Sequence, residues 1–107
     1  LSADELRERA PEVQALFARA TAITDLADGV VLDFPGDDAL ATQLFAFILS
    51  ERACCPFFSF ALRSASPHAT VQLEIRGAAH GAANDKELVA QTFAGALALI
   101  RPAGARA

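Results

Sequence analysis

Residues 28–40, DGVVLDFPGDDAL, contain the signals of a β-hairpin, the end of a strand and the start of a helix, and they decide the fold. An Asp-Gly pair at the start of this stretch separates two apolar runs, which is the strongest short-range signal for a hairpin. A Pro-Gly pair then ends the second strand. Asp37 or Asp38 fits the N-cap of the next element and places negative charge at a helix N-terminus. The stretch therefore predicts two strands followed by a helix.

The helix that follows is predicted over residues 38–52. Its apolar side chains recur at helical spacing in a broad stripe that consists of Leu40, Leu44, Phe45, Phe47, Ile48 and Leu49. Pro56 disfavours the helical conformation for Cys55, so the helix is expected to end before that cysteine.

The second half of the chain repeats the order of strand, strand and helix. Apolar and polar residues alternate over residues 57–64 and again over residues 70–76, which predicts two half-buried strands. Asp85 fits the N-cap of a last helix over residues 85–100, and Pro102 ends that helix.

Two further segments precede the hairpin. Residues 17–25 are rich in Ala, Thr and Ile and are predicted to form the first strand, which pairs with a second strand over residues 29–34. Ser2 begins a Ser-x-x-Glu capping box, so residues 1–15 are predicted to be an N-terminal helical segment. Pro11 could open a second helical turn within it.

These elements predict a single α+β domain over residues 1–107, in the order (α)-ββαββα, with a frayed tail at 103–107. The two hairpins pair into one four-stranded antiparallel sheet, and the two main helices pack on one face of that sheet. The core is predicted to contain Leu73 and a Phe-rich set that comprises Phe45, Phe47, Phe57, Phe58, Phe60 and Phe93. Apolar residues on the other face would require a partner, for which a homodimer is the commonest solution.

The composition excludes several classes of function. Nine basic residues scattered among thirteen acidic ones give a net charge of −4, which does not provide the basic surface of a general nucleic-acid binder. No apolar run approaches the ~20 residues of a membrane span. The N-terminus is acidic and has no signal-peptide pattern, so a cytoplasmic location is expected. Two adjacent cysteines do not make a disulfide framework.

The segment with chemical potential is ERACCPF, residues 51–57. Adjacent cysteines cannot both close comfortably on one tetrahedral ion, and there is no second cysteine pair, so structural zinc is not expected. A bending helix end escapes this restriction, and a soft thiophilic ion could bind there through Cys54 and Cys55 with Glu51 nearby. His80, in a loop of small residues, is a further candidate ligand. The alternative is structural, with two buried thiols at a helix stop.

The Glu-Arg-x-Cys-Cys-Pro-Phe motif and the strand after it resemble a family of small uncharacterised bacterial proteins. Their signature is an acid, then Cys-Cys-Pro-Phe, then a strand, and the resemblance covers residues 17–75. It implies the same ββαββ order. It implies no activity, cofactor or catalytic residue, although relatives among metal-resistance genes would favour a thiophilic site.

Three functions follow from these patterns. The expected function is a non-enzymatic module that forms a homodimer or binds a small ligand, without a cofactor. The alternative is binding of a soft metal ion through Cys54 and Cys55. The second alternative is a thiol redox enzyme in which one of these cysteines is the nucleophile and Arg52 or His80 the activator. A disulfide between neighbouring cysteines needs a strained eight-membered ring, so the redox enzyme is least favoured.

Overall fold

A computed structural model describes residues 11–54, 57–64, 70–77 and 82–100. The described elements are α1 (11–17), β1 (Ala22–Leu26), β2 (Gly29–Pro35), α2 (Asp38–Cys54), β3 (Phe58–Ser64), β4 (Thr70–Gly77), α3 (Ala82–Thr92) and α4 (Ala94–Ile100). This order confirms the predicted α+β class. The predictions for residues 1–10 and for the 103–107 tail lie outside the described residues.

The four strands form one open antiparallel sheet in the order β1-β2-β4-β3. The two sequence hairpins therefore join through their second strands, β2 and β4. In this register Leu73 of β4 faces Leu32 of β2 on one side and Leu62 of β3 on the other. Paired residues point to the same face of a sheet, so these three leucines mark the inner face, which the helices cover.

Strand β2 begins at Gly29, as predicted, but the two turn residues of the first hairpin are not the Asp-Gly pair itself. Leu26 pairs with Gly29, so the turn residues are Ala27 and Asp28, and Gly29 is already the first residue of β2. Gly29 is required for a different reason, because a Cβ atom there would collide with the carbonyl oxygen of Ile75 in β4. The glycine allows close approach of two strands.

The core lies between the inner face of the sheet and the helices. Its largest fully buried side chains come from every layer, namely Phe17, Leu32, Phe34, Leu40, Leu44, Leu73, Ile75 and Val89. Phe17 was predicted to start the first strand but lies in α1, and β1 begins only at Ala22. Its ring contacts those of Phe47 and Phe93, at centroid distances of 5.4 and 5.8 Å. Burial of this ring holds α1 against the remaining helices.

Two members of the predicted Phe core are exposed. Phe45 is 54% exposed and Phe57 is 36% exposed, whereas Phe47, Phe58 and Phe93 are buried. Apolar residues occupy most sides of α2, so their spacing alone did not identify the side that meets the sheet.

The last helix also differs from its prediction over residues 85–100. The chain forms two helices with a turn at Phe93, and Leu97 N donates to Phe93 O across the junction at 2.8 Å. Because α3 begins at Ala82, Asp85 lies inside its first turn and is not the N-cap. The Asp85 side chain is buried against Gly77, where a Cβ atom would collide with it.

The second face of the sheet, called the open face below, is polar over β3 and β4. Arg63 Nη1 and Arg76 Nε lie 3.1 and 3.0 Å from the two carboxylate oxygens of Glu74. Arg76 Nη1 also donates to Asp28 Oδ1 at 2.7 Å. This part of the open face does not offer the apolar surface for which a partner was expected.

Among the described helices, none is long and apolar enough to cross a membrane.

Candidate functional site

Helix α2 presents three distinct sides, and each of them bears on function. The side toward the sheet is buried and consists of Leu40, Leu44, Phe47 and Glu51. The side toward α1 lines a groove and consists of Gln43, Ala46, Phe47 and Ser50. The outer side is exposed and consists of Asp38, Thr42, Phe45, Leu49 and Arg52.

A groove of about 570 Å³ separates α1 from α2. Its second wall comes from α1 and the turn after it, through Glu12, Val13, Ala15, Leu16 and Arg19. The volume falls in the range of small-molecule sites, which are mostly apolar and carry a few polar groups. The groove therefore has the dimensions and the mixed lining of a small-ligand site.

The groove exists because short side chains face each other across it. Ala15 of α1 and Ala46 and Ser50 of α2 do not reach across the space between the two helices. The apolar part of the lining consists of Val13, Leu16 and Phe47, and the Phe47 ring, which is 4% exposed, lies at 63° to the buried ring of Phe17. Packing against the Phe17 ring fixes the position of Phe47 beneath the groove.

Opposite charges lie at the two ends of the α1 wall. Glu12 lies at the start of α1 and Arg19 just past its end, so they are separated by about 10 Å along the helix direction. Arg19 Nη2 lies 3.5 Å from Asp37 Oδ2, and both side chains are nearly half exposed, at 48% and 43%. Such an exposed ion pair contributes about 0–1 kcal/mol and leaves the guanidinium accessible to an anionic group.

The predicted cysteine corner is only partly described. Helix α2 runs two residues further than predicted and ends at Cys54. Glu51 lies three residues earlier in the same helix and is 7% exposed, which is unusual for a carboxylate. Cys55, His80 and the side chain of Cys54 lie outside what the structure describes. The predicted set of thiol, carboxylate and imidazole ligands therefore stays a prediction.

Within the described residues there is no group of three or more His, Cys, Asp or Glu side chains that could hold a metal ion.

The groove between α1 and α2 was not predicted from the sequence. Its residues are separated by about thirty positions along the chain, and no motif joins them. The sequence signal for it is the pair of short side chains Ala46 and Ser50, which lie four residues apart on one side of α2.

Two groups on the open face of the sheet, Glu74 and Arg76, have pKa values that differ from their ordinary ones. Burial alone raises the pKa of Glu74, but hydrogen bonds and charges from Arg76 and Arg63 outweigh it and hold that pKa below the ordinary value of 4.5. The hydrogen bond to Glu74 in turn raises the pKa of Arg76. These groups satisfy one another, so we interpret the cluster as a stabilising network.

Comparison with known proteins adds no functional information. No protein-family model, no curated protein and no solved structure matches this chain. The resemblance to small bacterial proteins with a Cys-Cys-Pro-Phe motif remains an expectation from the sequence, and functional assignment depends on the geometry of the chain itself.

Proposed function

We propose that this protein is a non-enzymatic module that binds a small amphipathic ligand in the groove between α1 and α2. The observation that carries the proposal is a groove whose lining combines apolar side chains, Val13, Leu16 and Phe47, with the polar and charged side chains Glu12, Arg19, Gln43 and Ser50. Apolar surface supplies most of the affinity of such sites, and a few placed polar groups fix the orientation of the ligand.

The charges at the rim define the class of ligand. Among the described residues that line the groove, Arg19 is cationic, and its pairing with Asp37 is long and solvent-screened. A ligand carboxylate or sulfonate at that end would form a charge-assisted hydrogen bond, which is stronger than a neutral one. The ligand is therefore an amphipathic anion whose apolar body lies against Val13 and Leu16. Glu12 at the opposite end disfavours a second negative charge on the ligand.

Two fluorescent probes of matched shape test this assignment. Anilinonaphthalene sulfonate carries the anionic group, and N-phenyl-1-naphthylamine is its neutral counterpart. The chain contains no Trp and no Tyr, so probe emission is measured over a low protein background. We expect both probes to bind and to shift the amide resonances of residues 12–19 and 43–50.

Two variants separate the contributions of shape and charge. Ala46→Trp fills the groove and should abolish binding of both probes, whereas Ala90→Trp, on the exposed side of α3, should leave binding unchanged. Arg19→Ala should weaken the anionic probe about tenfold and leave the neutral probe unaffected. Binding that survives Ala46→Trp, or resonance shifts that map to other elements, would contradict the assignment.

The second candidate function is binding of a soft metal ion at the end of α2. The buried position of Glu51, within one helical turn of Cys54, supports it. Together with the thiols of Cys54 and Cys55, this carboxylate would supply one hard and two soft donors, a set that fits a thiophilic cation better than Mg²⁺ or Ca²⁺.

Alkylation of the folded protein with N-ethylmaleimide, followed by peptide mapping, tests the metal site. Modification confined to Cys54 or Cys55, blocked by one equivalent of Cd²⁺ and accompanied by a higher Tm with Cd²⁺, would support it. Ser variants of each cysteine should remove the Cd²⁺ effect on Tm. If both thiols resist alkylation until the protein unfolds, the corner is structural.

A further inference from the structure

The outer side of α2 forms a seam that nothing in the described chain covers. The seam runs the length of the helix with alternating intervals of four and three residues, and it consists of Asp38, Thr42, Phe45, Leu49 and Arg52. This interval is the a/d spacing with which two helices pack side by side. Phe45 and Leu49, at its centre, are 54% and 42% exposed. They lie four residues apart, so they form one continuous apolar patch.

The charges of the seam are arranged symmetrically about its centre. Phe45 lies seven residues from Asp38 at the N-terminal end and seven residues from Arg52 at the C-terminal end. Within the described parts of the chain, neither of these two charged side chains has an ion-pair partner. A helix that packs antiparallel on this seam would be complementary if it carried a cation opposite Asp38 and an anion opposite Arg52.

A second copy of the same helix meets this requirement. When α2 is turned by 180° about an axis through Phe45, Arg52 of the second copy lies opposite Asp38, and the reverse pair forms at the other end. Phe45 then packs near its own symmetry mate and near Leu49 of the other copy. The antiparallel arrangement also opposes the two helix dipoles favourably. A two-fold contact of this kind is self-complementary and closes at two subunits.

From this complementarity we infer that the protein forms a homodimer through antiparallel packing of α2 against α2. The inference is independent of the proposed ligand groove, because the groove lies on a different side of α2 and is lined by Gln43, Ala46 and Ser50. The apolar centre supplies the hydrophobic anchor, and the charged ends fix direction and register.

Sedimentation velocity over a concentration series tests the dimer. The wild-type protein should sediment as a monomer–dimer equilibrium. Phe45→Glu places a charge at the symmetry axis and should raise the dimer Kd by about 30-fold or more. Ala90→Glu introduces the same charge on the exposed side of α3 and is the matched control, with no expected change. Circular dichroism establishes that each variant is folded.

Charge reversal tests the antiparallel register. Asp38→Arg and Arg52→Asp each place like charges opposite one another and should weaken the dimer about three- to tenfold. The double variant D38R/R52D restores opposite charges between the copies and should recover the wild-type Kd to within about threefold. Within a single helix the double change is worse than either single change, because both new charges oppose the helix dipole. Recovery therefore reports only on the contact between copies.

Several results would overturn the inference. They are a wild-type monomer at every concentration, a Phe45→Glu variant that dimerises as well as the wild type, and a double charge reversal that is no better than the single ones. A monomeric wild-type protein would mean that a second copy of α2 does not bind the seam. An assembly larger than a dimer would also contradict it, because a two-fold contact closes at two copies.

Discussion

Arg76 and Glu74 lie two residues apart on β4 and on the same face of the sheet, with 3.0 Å between the guanidinium Nε and carboxylate Oε2. Side chains at i and i+2 of a strand point the same way, so the alternation of the strand brings this pair together. Arg63, on the neighbouring strand β3, reaches the other carboxylate oxygen at 3.1 Å. Glu74 is thus a carboxylate held by two cations while its own side chain is only 13% exposed.

The first prediction concerns acid sensitivity. Because folding lowers the pKa of Glu74 below 4.5, its stabilising contribution is complete above that value and is lost as the pH falls through the folded pKa. Urea unfolding from about pH 7 downward should show that Glu74→Gln costs about 1 kcal/mol at neutral pH and progressively less as the pH falls below 4.5. Glu87→Gln, which removes a carboxylate from the exposed side of α3, is the control for loss of one acid. Equal acid sensitivity of Glu74→Gln and the wild type would contradict the prediction.

The second prediction ranks two core positions. Leu73 is fully buried on a central strand, so Leu73→Ala should lower the free energy of unfolding by about 3 kcal/mol. Phe60 is only half-buried on the edge strand β3, so Phe60→Ala should cost less, about 1–2 kcal/mol. The side chain of Ser59 points to the open face, so Ser59→Ala should change the free energy of unfolding by less than about 0.5 kcal/mol. Urea unfolding measures all three values. If the variants ranked in the reverse order, the assignment of Leu73 and Phe60 to the inner face of the sheet would be wrong.

The strands and their faces could be predicted because the sequence signal is local. Residues 70–77 alternate buried and half-buried side chains without interruption, as their pattern of apolar and polar residues requires. The limit of local signals is evident at Phe17. Its apolar side chain fits a strand or a helix equally well, and only packing against Phe47 and Phe93 decides that it belongs to α1.

The sites could not be predicted to the same degree, because they depend on relations between distant elements. The groove needs Ala15 and Ala46 to face each other, which neither segment signals alone. In the sequence, Phe45 and Leu49 of the exposed seam belong to the same broad apolar stripe as the buried residues of α2. The stripe therefore predicted Phe45 to be a core residue, although it is exposed. The direction in which the apolar side of α2 faces follows from its position over β3, which is a property of the assembled sheet.

The third prediction concerns the N-cap of α2, where the sequence allowed either Asp37 or Asp38. Asp37 is the cap, because its Oδ1 accepts the backbone N–H of Ala39 at 2.9 Å. Asp37→Ala should lower the free energy of unfolding by about 1 kcal/mol, whereas Asp37→Asn retains a capping oxygen and should cost much less. Thermal unfolding of both variants measures the difference. Equal losses would mean that the charge of Asp37, through the helix dipole or Arg19, matters more than the hydrogen bond.

The last prediction concerns three glycines, Gly29, Gly77 and Gly95, which differ in the atoms that an added Cβ would meet. A Cβ atom at Gly29 would overlap the Ile75 carbonyl oxygen, and backbone in the middle of a sheet cannot move without breaking the β2–β4 ladder. Gly29→Ala should therefore cost about 2 kcal/mol or more. At Gly77 the overlap is with the Asp85 side chain, which is buried, so Gly77→Ala should also be destabilising.

Gly95 is the matched control for both glycines. A Cβ atom there would meet only Gln14 Nε2 at 3.0 Å, at the far end of a flexible side chain that can rotate away. Because Gly95 lies in helix α4, alanine also restricts the unfolded chain and favours the helix, so Gly95→Ala should be neutral or stabilising by about 0.5 kcal/mol. Urea unfolding of the three variants compares one substitution in three environments. A Gly29→Ala variant as stable as Gly95→Ala would show that β2 and β4 do not approach as closely as the register requires.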